Sequence, residues 1–178
     1  MRMLFFLLET IFYVLMGAAM LRAYMNWLRI SMTAQPGTFV MALTNWLIQP
    51  LRRVLPVSLA RARLDWASVI AAGLLALVYA LLTALLLGWI SGDVPILEVL
   101  VVALKMLCRV ALQSLTMLVF AFVIISWVQP GSSVYGLLAR LVEPPLTPLR
   151  RVVPVVGGVD LSAMALLLLL QLGLMALG

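Results

Sequence analysis

Residues 66–89 read WASVIAAGLLALVYALLTALLLGW, twenty-four positions without a charge. A helix rises about 1.5 Å per residue and the hydrocarbon core of a bilayer is about 30 Å thick, so about 20 such residues suffice to cross it. Lipid offers the backbone no hydrogen-bond partner, and only helices or closed barrels span it. A barrel requires alternating apolar and polar residues. This run instead is continuous in Leu and Ala, both good helix formers, and reads as a transmembrane helix.

The same signal extends over the chain. Of 178 residues, 66% are hydrophobic and 10% charged, against about 45–50% and about 25% in soluble domains. Three further spans are expected, at 3–24, 97–128 and 161–177. A cleaved leader is the rival reading of the first, and Glu9 within the apolar run speaks against it. Gln35-Pro36-Gly37 and Pro130-Gly131 are turn signals. After them, residues 38–49 and 133–142 carry apolar residues at helical spacing, with Trp46 as an interfacial anchor, and read as short amphipathic helices at the membrane surface. Small residues at Gly17-Ala18-Ala19 and Ala71-Ala72-Gly73 permit close helix contact.

Pro50-Leu51-Arg52-Arg53-Val54-Leu55-Pro56 recurs 98 residues later as Pro148-Leu149-Arg150-Arg151-Val152-Val153-Pro154, with one change. Its flanks recur in order. Trp27 and Trp127 precede the two copies, and Asp65 and Asp160 stand before the following spans. The pattern predicts an all-α polytopic membrane protein of four transmembrane helices. They form a parallel tandem repeat of two helical hairpins, 1–92 and 93–178. Both arginine loops then lie on one side, cytoplasmic by the positive-inside rule, with both termini outside.

The tryptophans, the doubled Pro-Leu-Arg-Arg-Val-x-Pro and the Gly157-Gly158-Val159-Asp160-Leu161-Ser162 run resemble the YggT family, called YlmG in other lineages. The second copy, with Glu143-Pro144-Pro145, is the closer match. The first has Gln49 and Val57-Ser58-Leu59 instead. The resemblance implies a bacterial inner-membrane protein with relatives in plastid membranes. It also implies links to osmotic and ion stress, to cell-division neighbourhoods and, in plastids, to cytochrome maturation and nucleoid arrangement. It implies no common biochemical activity.

Chemistry-bearing residues are few. The prolines Pro50, Pro56, Pro148 and Pro154 fix φ and remove donors, so the loops are expected to hold Arg52, Arg53, Arg150 and Arg151 in a stiff, partly extended segment. Guanidinium groups bind phosphate bidentately. Three readings stand for these arginines: anchoring on anionic headgroups, docking of a partner, and plain orientation. Asp65 and Asp160 are expected to cap the following helices, and pairing with the loop arginines is compatible with that. Arg22 is expected to snorkel to the headgroups, with a buried functional charge as the alternative. Glu98, Lys105, Arg109 and Gln113 share a helical stripe. Residues 97–109 are read as lying at the outer surface, with the crossing part at 110–128. The alternative puts Arg109 and Gln113 within the membrane, where charge is costly and functional.

The net charge of +6 is assigned to topology rather than to nucleic acid, which is not an expected partner. There is no histidine and one cysteine, Cys108, which excludes an intrachain disulfide and cysteine-based metal sites. No cofactor and no metal are expected, and no enzyme motif is present. A membrane scaffold or assembly factor is the expected function, with the bilayer, anionic headgroups and a second copy or another membrane protein as partners. An oligomeric channel or transporter is the alternative.

Overall fold

The computed structural model describes residues 2–33, 36–55, 64–86, 96–153 and 161–178, and these are helical without strands. The helices are α1 (Arg2–Trp27), α2 (Gly37–Val54), α3 (Trp66–Leu86), α4 (Ile96–Val128), α5 (Ser133–Arg150) and α6 (Leu161–Ala176). Among them α1, α3 and α4 are long and apolar enough to cross a bilayer, and α6 is apolar with 16 residues. Large apolar side chains such as Phe6, Leu81, Leu100 and Leu168 stay exposed, which suits lipid rather than water as the solvent. The described helices fall into two compact units, residues 1–110 and 111–178. The expected repeat boundary between 92 and 93 lies outside the described residues.

In the first unit α1 and α3 run antiparallel. Arg22 meets Asp65 at one end, and Phe12 meets Tyr79, with ring centroids 5.8 Å apart, further along. Ala72, Ala76, Ala80 and Ala84 recur every fourth residue and all are buried, and Ala76 and Ala80 pack with Met16 of α1, a small-residue stripe that lets helices approach closely. A Cβ on neighbouring Gly73 would meet nothing within 4 Å, so this glycine takes no part. Helix α1 stops in a Schellman motif. Ile30 N–H donates to Met25 O at 2.9 Å and Arg29 N–H to Asn26 O at 3.0 Å, with Arg29 at φ 56°.

The first half of α4 belongs to this unit. Ala103, Met106 and Val110 pack with Met16, Leu75, Ala76 and Ala80, the middle of α1 and α3. Residues 103–106 therefore lie alongside α1 and α3, within the segment the sequence suggested for the outer surface. The small Ala103 and the flexible Met106 turn to this core, while Glu98 and Lys105 of the stripe are exposed.

The proline loops differ from expectation too. The helix expected at 38–49 continues through Pro50 to Val54. Ile48, with partly buried Leu51 and Leu55, packs on Ala67 and Ala71 of α3, and only helical continuation keeps these three side chains on one stripe. An interior proline costs about 3 kcal/mol. Burying a leucine contributes about 1.5–3 kcal/mol when complete, so two partly buried leucines offset most of that cost. Pro φ is itself helical, and the restraint lies in the missing donor.

In the second unit a proline-containing helix also packs along its neighbour. Helix α4 ends at Val128, Gly131 turns the chain at φ 87°, and Ser132 caps α5, its Oγ accepting from Tyr135 N–H at 3.1 Å. Helix α5 then runs through Pro144, Pro145 and Pro148 to Arg150, where an extended segment was expected. Leu138, Val142 and Leu146, with partly buried Leu149, form one stripe against Ala163, Leu166 and Leu170 of α6.

Candidate functional site

A polar cluster sits in the first unit where the C-terminal end of α1, the body of α2 and the start of α3 meet. Its centre is Asp65, immediately before α3, with its side chain 7% exposed. The Asp65 carbonyl accepts from Ser68 N–H at 3.0 Å and Val69 N–H at 3.2 Å, opening the helix. Its carboxylate also lies at the positive end of the α3 dipole. One oxygen, Oδ2, takes Arg52 Nη2 at 2.6 Å, the Ser68 hydroxyl at 2.8 Å and Arg22 Nε at 3.8 Å.

Arg22 is buried, not snorkelling. Its Nη1 donates to Thr44 Oγ1 and Asn45 Oδ1, both at 2.9 Å, and Thr44 in turn donates to Val40 O at 2.7 Å. The neighbours explain the difference. A lone arginine in an apolar run escapes to the headgroups, but α2 presents two polar acceptors and α3 a carboxylate, which together satisfy the guanidinium in place. The signal in the sequence was Thr44-Asn45, a polar pair within the otherwise apolar stripe of Val40 and Ile48. Thr44, Asn45 and Ser68 were not among the residues expected to matter.

Arg52 and Arg53 occupy the last turn of α2, where positive charge complements the dipole. The Arg52 side chain is 48% exposed and Arg53 is exposed. Two guanidinium groups share one carboxylate, so the cluster of Arg22, Asp65 and Arg52 carries one net positive charge. On the opposite side of α2, Phe39 and Trp46 are exposed.

In the second unit, Arg150 ends α5 and Arg151 caps it, and both are exposed. Pro56, Pro154 and Asp160 fall outside the described residues. Arg109 and Gln113 are partly buried on α4. Arg109 and Glu9 both stand within electrostatic reach of Tyr79. Among the described residues no group of acidic, histidine or cysteine side chains is arranged to hold a metal.

The chain matches the CCB3/YggT family over residues 1–86 and 101–178. It is 34% identical over 180 residues to the uncharacterized protein YggT of Escherichia coli (strain K12), covering 96% of this chain and 86% of that one. A Vibrio alginolyticus protein, described as an uncharacterized protein in the proC 3' region, is 29% identical over 168 residues, covering 93% and 88%. An uncharacterized Pseudomonas aeruginosa protein is 32% identical over 174 residues, covering 94% and 84%. No solved structure matches.

Proposed function

The chain belongs to the CCB3/YggT family, and from that premise we propose that it is a non-enzymatic scaffold or assembly factor of a bacterial inner membrane, serving under osmotic or ion stress. It grips anionic lipid through arginines at the ends of two interfacial helices and presents that face to a cytoplasmic partner. The observation that carries this reading is shared by α2 and α5. Each lays one apolar stripe on its own unit and ends on two exposed arginines.

The duplication read from the sequence is part of the proposal, and the burial pattern supports it. Buried Val40, Thr44 and Ile48 correspond to buried Leu138, Val142 and Leu146 at the 98-residue offset of the arginine pairs. Buried Ala67, Ser68, Ala71 and Leu75 correspond to buried Ser162, Ala163, Leu166 and Leu170 at the 95-residue offset of Asp65 and Asp160. In this reading four spans form a parallel repeat, the arginine ends face the cytoplasm, and both termini lie outside. The partners are anionic headgroups and either a second copy or another membrane protein.

Each basic residue near an anionic leaflet contributes about 1 kcal/mol. Changing Arg52, Arg53, Arg150 and Arg151 together to Gln is therefore expected to weaken binding of phosphatidylglycerol to the detergent-purified chain at least tenfold, measured by native mass spectrometry. Crosslinked partners are expected to be lost from membranes carrying this variant. Unchanged lipid binding and unchanged partner recovery would refute the proposal.

A channel or transporter is the second reading, supported by the partly buried Arg109 standing next to Val110, which packs with Met16 and Ala76. Its mark is ion flux in proteoliposomes that disappears with Arg109→Gln or Gln113→Leu.

A further inference from the structure

We infer that phosphate binding is concentrated in one discrete site of the first unit, built by buried Arg22 together with exposed Arg52 and Arg53. This rests on the lipid reading above and names the site within it. Arg22 and Arg52 both lean on Asp65 Oδ2, so one carboxylate answers two cations. Arg22 is held by Thr44 and Asn45 and shielded from water, so its charge is weakly screened. The surplus is felt at the half-exposed Arg52, whose planar fork suits the oxygens of a phosphate group.

The second unit lacks this arrangement. Counted from Trp27 and Trp127, the counterpart of Arg22 is Phe122. Counted from the arginine pairs, the counterparts of Thr44 and Asn45 are Val142 and Glu143. Phe122 and Val142 are buried in one apolar cluster. The same helix packing therefore forms with no buried cation at the place of Arg22, and the fold alone does not require Arg22. From Arg22 to Asp65 the sequence sets six arginines against Asp65 alone, whereas from Phe122 to Asp160 three arginines face Glu143 and Asp160. The first segment is the more strongly positive one.

The ligand chemistry is a phosphate anion, supplied by a lipid headgroup or by free phosphate. The test uses the full chain in detergent, titrated with phosphatidylglycerol by native mass spectrometry and with inorganic phosphate by calorimetry. The informative variant is Asn45→Glu, which gives the first unit the residue of the second. It neutralises Arg22 where it stands and leaves a folded ion pair. Asn45→Glu and the pair Arg52→Gln with Arg53→Gln are each expected to weaken the tightest site about tenfold, while Arg150→Gln with Arg151→Gln leaves it within twofold. Sensitivity to Asn45→Glu seen with lipid alone identifies the ligand as a headgroup, and sensitivity seen also with inorganic phosphate identifies it as the free anion. Equal losses from the two arginine pairs would overturn the inference and leave the lipid reading standing. No loss from any variant would overturn both.

Discussion

Replacing Asp65 by alanine is expected to destabilise the first unit by about 3 kcal/mol, read as a lower midpoint of unfolding in mixed SDS and mild-detergent micelles. Removing one partner of a buried ion pair costs about 3–5 kcal/mol, because the other charge is left uncompensated. The lower figure applies because only Arg22 is buried. Arg52 is half exposed, and its share is screened by water. Arg22→Met alone is expected to cost under about 1.5 kcal/mol, since Asp65 retains Arg52 and Ser68. Adding Arg22→Met to Asp65→Ala is expected to recover most of the loss, because buried charge replaced throughout by apolar atoms is often neutral. This asymmetry separates a buried pair from a pair of independent helix-end residues, for which the two losses would add.

Gly37→Val is expected to cost about 2–3 kcal/mol and to loosen α2 from its unit. A Cβ at this position would stand 2.6 Å from Met32 Cα and 2.9 Å from Met32 O. Both are backbone atoms and cannot rotate away. Overpacking of this kind costs about 1–3 kcal/mol, whereas a better helix former returns less than about 1 kcal/mol over glycine. Sterics therefore decide the sign. Hydrogen exchange at residues 37–48 is expected to accelerate in the variant while α3 exchanges as before. Exchange in α2 unchanged from the parent would show that the approach of Met32 to Gly37 is dispensable.

The apolar helices were legible in the sequence because hydropathy acts residue by residue. The span expected at 3–24 is the core of Arg2–Trp27, and that expected at 66–89 contains Trp66–Leu86. What escaped was every feature decided by a neighbour. Pro50 and Pro148 looked like helix terminators, yet Leu51 and Leu149 hold their helices together by packing on α3 and α6. Arg22 looked like a residue that reaches for water, because nothing in α1 reveals that Thr44 and Asn45 lie alongside. The fit of Ala103 and Met106 against Met16 and Ala76 could not be read from α4 alone, because it is a property of three helices. For the candidate site, Arg52 and Asp65 were named from the sequence, and their direct contact was left as one of two compatible roles. Arg22 was named but expected at the headgroups, and Thr44, Asn45 and Ser68 were not named.

In the proposed function the paired arginines of α2 and α5 face the cytoplasm. The direct measurement places single cysteines at Arg53→Cys or Arg151→Cys in a Cys108→Ala background and exposes sealed vesicles to a membrane-impermeant maleimide. Both sites are expected to react in inside-out vesicles and neither in right-side-out ones. Reaction of one site from each side would contradict the account.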